Sequence, residues 1–178
     1  PQANVHTLPM IGGYVGGDTV AGMLATLQRP GAEPMLFIDI GTNGEMVLYT
    51  GEHMVATSCA AGPAFEGARI GQGMRAAEGA IEAVAIREDV HFTTIGNRPA
   101  LGICGSALID AAAELLRVGV ISCDGTLLSA SEVPVSVPER VRARIGMGDR
   151  GPVFVIAEAH ETQSGQRVAV TQRDVRAL

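Results

Sequence analysis

Apolar residues in this chain fall mostly into short runs of strand length, separated by glycine, proline and polar turns. The densest run, Met35 to Ile38 with Ile40, is nearly continuous, the pattern of a strand covered on both faces. Asp39 interrupts it at its C-terminal end. Gly41-Thr42-Asn43-Gly44 predicts a tight turn of small residues, in which Asn-Gly is a hairpin signal because both tolerate positive φ. Glu45 to Tyr49 resumes the extended pattern, and Thr50-Gly51-Glu52 turns the chain into a third strand, His53 to Cys59. Three consecutive antiparallel strands are therefore expected. Ile81 to Ile86 and Val90 to Ile95 read as a further hairpin, and Val153 to Glu158 and Arg167 to Thr171 as two strands joined by a polar turn.

Helical spacing appears at Val20, Met23, Leu24 and Leu27, predicting a helix from Thr19 to about Leu27 with Asp18 as its N-cap. It appears again at Leu108, Ala111, Ala112, Leu115 and Leu116, with Ser106 as the expected N-cap and Gly119 as the stop. Residues 122–151 follow neither period and read as an irregular surface excursion, with Arg140, Arg142 and Arg144 as a solvated face. Thr171-Gln172-Arg173-Asp174 reads as a helix start of which one turn remains before Leu178.

The length of 178 residues fits a single domain, 1–178, with a sizeable core. Hydrophobic residues make up 47% but aromatics only 3%, so that core must be built from Ala, Val, Ile, Leu and Met. The 23 glycines are about twice an average share of roughly 7%, as many tight turns and close backbone approaches require. A net charge of −6 argues against a nucleic-acid partner, which would call for a basic face. All 13 basic residues are Arg, which excludes lysine-based phosphate contacts and Schiff bases. Cys59, Cys104 and Cys123 are far apart, with no C-x-x-C, so neither a zinc site nor an iron–sulfur cluster is legible. Lone buried thiols in a reduced, cytoplasmic setting are the expectation. No apolar stretch approaches the length of a membrane span, and no membrane association is expected. The chain opens at Pro1 without an initiator Met, so it reads as a piece of something longer.

Three stretches carry candidate chemistry. In the first, a carboxylate at a strand end precedes a turn of small residues. The amides of Gly41, Thr42, Asn43 and Gly44 can cradle phosphate oxygens, and Asp39 can hold Mg²⁺ through water. An ordinary hairpin with a buried, hydrogen-bonded Asp fits the same spacing. In the second, residues 59–68, Glu66 is the one acidic residue in a small-residue loop. It either faces a nucleotide, positioning Mg²⁺ or the attacking water, or favours a helix dipole from its first turn. In the third, Gly102, Gly105 and Ser106 lie where a strand end runs into a helix N-terminus, a generic anion site.

IDIGTNGE (38–45) resembles the second phosphate motif of the actin-like ATPase superfamily. Taken with AAGPAFEGARIGQGMRAAEGAI (60–81) and GICGSALID (102–110), it is similar to one family, the C-terminal ATPase domain of the reductive activators of corrinoid proteins. The resemblance extends from GGYVGGD (12–18) to VTQRDVRAL (170–178). It implies an α/β fold, the second actin-like (ribonuclease-H-like) ATPase subdomain with insertions, with a mixed sheet and flanking helices. It implies ATP and Mg²⁺ as cofactors, a corrinoid protein as partner, and support for reduction of Co(II) to Co(I). Under it Asp39 and Glu66 are the catalytic carboxylates, Asp39 the metal residue, and Gly41 to Gly44 with Gly102, Gly105 and Ser106 the nucleotide-binding set. The family's 2Fe-2S cluster is expected only in an N-terminal part that these residues lack. A homodimer is among the assemblies open to it. A non-catalytic actin-like docking module and a small-molecule kinase of the same superfamily stay open as alternatives.

Overall fold

The computed structural model describes residues 3–26, 33–68 and 70–178, with the backbone alone at Phe65 and Glu66. Leu27, the expected end of the first helix, lies outside them. The chain divides into two compact units, Pro1–Gly62 and Pro63–Leu178.

In the first unit a helix, α1 (Gly17–Thr26), precedes an antiparallel sheet of β1 (Met35–Ile40), β2 (Asn43–Tyr49) and β3 (Met54–Ala60), in that order. Alternation decides what each face carries. Phe37, Val47 and Ala56 stand in register on one face, and Leu36, Leu48 and Val55 on the other. α1 covers the Phe37 face. A Cβ on Gly22 would come within 2.6 Å of the Phe37 ring, so the absent side chain is what lets helix and strand close up. Val47 and Met23 are buried there. The opposite face is open: Leu36, Ile38, Ile40 and Leu48 are 43–56% exposed. The expectation that β1 is covered on both faces is thus corrected. Its apolar run marks an edge strand, and the one described helix of this unit covers one face.

The second unit holds two three-stranded sheets. In one, β4 (Ala80–Ile86) pairs antiparallel with β5 (Val90–Thr94) and parallel with the short β6 (Gly102–Ile103), so the sheet is mixed. In the other, β8 (Gly151–Ala157) lies between β7 (Ile145–Gly148) and β9 (Val168–Thr171). α2 (Gly105–Val118) packs on β4, and Ile81, Ile86, Leu108, Leu115, Phe154 and Ile156 form the centre of the core. α3 (Glu139–Ala143) and α4 (Gln172–Val175) are short. Gly119 ends α2 in the left-handed conformation at φ 83°, as expected of a C-terminal glycine stop.

β6 spans only two residues, so most of β4 has no strand on that side. α2 takes its place with side chains. Ser106 Oγ donates to the Glu82 carbonyl at 2.7 Å, Asp110 accepts from the Val84 N–H at 3.2 Å, and Glu114 accepts from the Ile86 N–H at 2.6 Å. These positions are four apart on one helix face, and Arg117 extends the row to the Ile86 carbonyl. A sheet edge that would otherwise hold unpaired backbone groups is closed by a polar helix stripe.

Several expectations change here. Residues 122–151 contain α3 and β7, so the stretch is not simply irregular. Of the arginine run only Arg140 is an exposed residue, whereas Arg142 and Arg144 are half-buried and engaged. Arg144 bonds Asp89 at 2.7 Å and the Ile156 carbonyl at 3.0 Å, and Arg142 donates to the Pro134 carbonyl. The residue at the N-cap of α2 is Cys104, not Ser106. α1 begins at Gly17, which puts Asp18 inside its first turn rather than at the cap. Of the three cysteines, Cys104 is buried, whereas Cys59 and Cys123 are exposed.

Candidate functional site

The β1–β2 hairpin turns on Gly41 and Thr42. Ile40 pairs with Gly44, and Asn43 already pairs with Ala60 of β3. Neither Asn43 nor Gly44 has positive φ. The Asn-Gly pair therefore begins the second strand instead of forming the turn, because a third strand captures it. The Gly41 N–H donates to the Asn43 carbonyl at 3.0 Å, inside the turn. The Thr42 carbonyl accepts from the N–H groups of Ala61 (3.3 Å) and Gly62 (2.7 Å), which ties the tip to the end of β3. Thr42 and Asn43 are exposed and Gly41 and Gly44 half-buried, so the tip is open to solvent. A Cβ on Gly44 would stand 3.1 Å from Cys59 Sγ, so the next strand leaves little room there.

The register about Thr42 has a chemical consequence. Asp39 lies directly opposite Glu45, and Glu45 opposite Ser58. Directly opposed residues of an antiparallel pair hold their Cβ atoms about 5 Å apart. Ser58 Oγ donates to Glu45 Oε1 at 3.0 Å. The half-buried Asp39 accepts no hydrogen bond among the described residues. Two carboxylates thus flank the foot of the turn on the face that also carries Phe37. Glu45 was missed as a site residue, although pairing the hairpin about Thr42 would have found it. Among the described residues no group of three or more His, Cys, Asp or Glu gathers to hold a metal ion. A pair of carboxylates suits Mg²⁺, which keeps several waters and takes its remaining ligands from phosphate.

Glu66 ends the short 3₁₀ turn Pro63–Glu66 in the second unit, and its side chain lies outside the described part of the structure. The glycines around it have a packing role. A Cβ on Gly73 would fall 2.2 Å from the Gly67 carbonyl oxygen, and one on Gly102 would fall 2.7 Å from that of Gln72. These close approaches let Met74 N–H reach the Ile103 carbonyl at 2.9 Å and Ile103 N–H reach Gln72 at 3.0 Å. Gly102 and Gly105 are buried, and the Ser106 hydroxyl is engaged by Glu82 and lies 3.3 Å from Cys104 Sγ. Among these three, what a ligand could use is backbone at the start of α2.

Residues 33–178 match the family described as the C-terminal domain of RACo, the ASKHA domain. Over its whole length the chain is 36% identical to a corrinoid activation enzyme, RamQ, of Eubacterium limosum, and covers 30% of that protein. It is 47% identical over 73 residues to the [Co(II) methylated amine-specific corrinoid protein] reductase of Methanosarcina barkeri, covering 41% of this chain and 14% of the relative. A solved structure, of a reductive activator for a corrinoid, iron–sulfur protein, superposes with a TM-score of 0.78 at 42% identity. That match covers 96% of this chain and 26% of the solved one, so the chain spans under a third of the length of these relatives.

Proposed function

The chain belongs to the family of the C-terminal domain of RACo, the ASKHA domain, and from that membership we propose that it is the ATP-binding part of an ATP-dependent reductive activator of a corrinoid protein. Its relatives are named for corrinoid activation and for Co(II) corrinoid-protein reduction. In the whole protein, ATP binding and hydrolysis support the passage of a low-potential electron to Co(II), giving Co(I). The corrinoid protein is the partner. A 2Fe-2S cluster belongs to chain outside these residues, since Cys59, Cys104 and Cys123 are separate free thiols. Free thiols accord with a cytoplasmic setting. No helix among the described residues is long and apolar enough to cross a membrane.

The observation that carries the nucleotide reading is Asp39, a half-buried carboxylate with no hydrogen-bond partner among the described residues, set opposite Glu45 at the foot of the exposed turn. Mg²⁺, when bound, neutralises phosphate charge. Asp39 would hold the ion through water, and Glu45, steadied by Ser58, stands on the same face. The backbone of Thr42, Asn43 and Gly44 would hold phosphate oxygens, and Gly41 shapes the turn. Glu66 is assigned to the attacking water by the family resemblance of residues 60–81 alone. The first amides of α2, at Gly105 and Ser106, with Gly102 behind them, form the second anion-binding element.

The test uses the protein that carries this chain, with a corrinoid protein and a low-potential reductant. Co(II)-to-Co(I) conversion is followed spectroscopically with and without MgATP. Conversion that rises with ATP and is lost with a non-hydrolysable analogue is expected. Conversion indifferent to nucleotide would leave a docking module as the function.

A further inference from the structure

We propose that the second unit carries a separate site for a protonated phosphate group, between the β7–β8 turn and the end of β9. This site is independent of the nucleotide reading of the hairpin. The cavity there measures about 390 Å³ and is bounded by residues 148–153, Gly71 and residues 171–174. Its wall is fixed from within. Asp174, 1% exposed, accepts from the N–H groups of Gly71 and Thr171, both at 2.9 Å, and from Thr171 Oγ1 at 2.7 Å. Gln172 accepts from the Leu127 N–H and donates to the Gly125 carbonyl. Those side chains are fully engaged.

The charged groups that remain on the cavity are Arg150, Arg173 and Asp149, all exposed and without a hydrogen-bond or ion-pair partner among the described residues. Elsewhere in the unit Arg98, Arg117, Arg144 and Arg167 each reach a carboxylate, whereas Arg75 and Arg176, like Arg150 and Arg173, reach none among the described residues. Both arginines line this one cavity, and planar guanidinium forks match tetrahedral oxyanions. Asp149 then sets the selectivity. An acceptor-only carboxylate repels a bare oxyanion and accepts from one that carries a P–OH. Monohydrogen or dihydrogen phosphate, or the monoanion of a phosphate ester, meets all three groups. Sulfate has no proton to offer at the same pH.

The test is calorimetric titration of the 178-residue chain with inorganic phosphate and with sulfate, near pH 6 at constant ionic strength. Saturable phosphate binding is expected, with sulfate about tenfold weaker or more. Arg150→Gln and Arg173→Gln should each weaken phosphate about tenfold. Arg150→Lys and Arg173→Lys should do so less, and Arg140→Gln not at all. Asp149→Asn should close the gap between phosphate and sulfate. Melting temperature verifies that each variant is folded, and the Lys variants serve if a Gln variant is not. Glycerol phosphate as a third ligand separates the sources. Tighter binding than inorganic phosphate assigns the site to a phosphate ester, and equal or weaker binding assigns it to free phosphate. Absence of saturable phosphate binding, or binding unchanged in both Arg→Gln variants, would overturn the site. Phosphate and sulfate binding equally to the unmodified chain would remove Asp149 from it.

Discussion

Asp39 is half-buried beside a second carboxylate and makes no hydrogen bond among the described residues. Replacing it with Asn keeps the shape and removes the charge. If that charge serves Mg²⁺ and the phosphates, ATP turnover and corrinoid reduction by the protein carrying this chain should both fall by about 10²-fold or more. Nucleotide affinity should fall less. Melting temperature should hold or rise, because a like-charge neighbour is relieved. A variant that is destabilised yet fully active would take Asp39 out of the site. Asp89 contrasts with it. The Arg144 guanidinium that bonds it at 2.7 Å holds its carboxyl below the ordinary range, with the Val90 N–H helping. A carboxyl lowered on folding stabilises the fold above its ordinary range, and the contribution is lost as pH falls through the lower folded value. Asp89→Asn should therefore cost about 1 kcal/mol near neutrality. The variant's deficit should shrink as denaturant melts are repeated at decreasing pH, and a deficit constant with pH would deny the charge its role.

At the scale of elements, α2 acts in place of a strand. Its apolar positions were legible from spacing, but the purpose of its polar face was not, because nothing local announces that β6 stops after two residues. Glu114→Ala removes the acceptor of the Ile86 N–H and the partner of Arg117 together. A loss of about 1–3 kcal/mol is expected in chemical unfolding. Glu114→Gln keeps an acceptor and should recover part of it. Ala and Gln variants of equal stability would show that the Ile86 N–H finds water instead. The Glu114 carboxyl is held below the ordinary range by Arg117 and the Ile86 N–H, so this contribution too fades on acidification. The hairpin teaches a related lesson. Asn-Gly favours a turn locally, yet pairing of Asn43 with Ala60 moved the turn to Gly41-Thr42. Tertiary pairing outweighs a local preference of this size.

For the molecule as a whole, the chain spans 30% of RamQ and 26% of the solved relative. These 178 residues alone are therefore expected to hydrolyse ATP at a negligible rate, measured as phosphate release against the protein that carries them. Turnover matching that protein would show the site to be complete within this chain. The family was legible because its motifs are long and local: IDIGTNGE, the glycine-rich stretch from Ala60 and GICGSALID stand in the sequence in one piece. The strands were legible for the same reason, since alternation and turn residues act over a few positions. What lay beyond the sequence depends on contacts between distant residues. Register set Asp39 opposite Glu45, one helix left half of the first sheet open, and the close approach of Gly73 to Gly67 and of Gly102 to Gln72 gave these glycines a packing role that no local pattern announces. Local rules name the residues that can form an element, whereas pairing and packing choose which of their faces meets which neighbour. That choice is made by free energies summed over the whole fold, and it alone decided which polar groups stayed free to act.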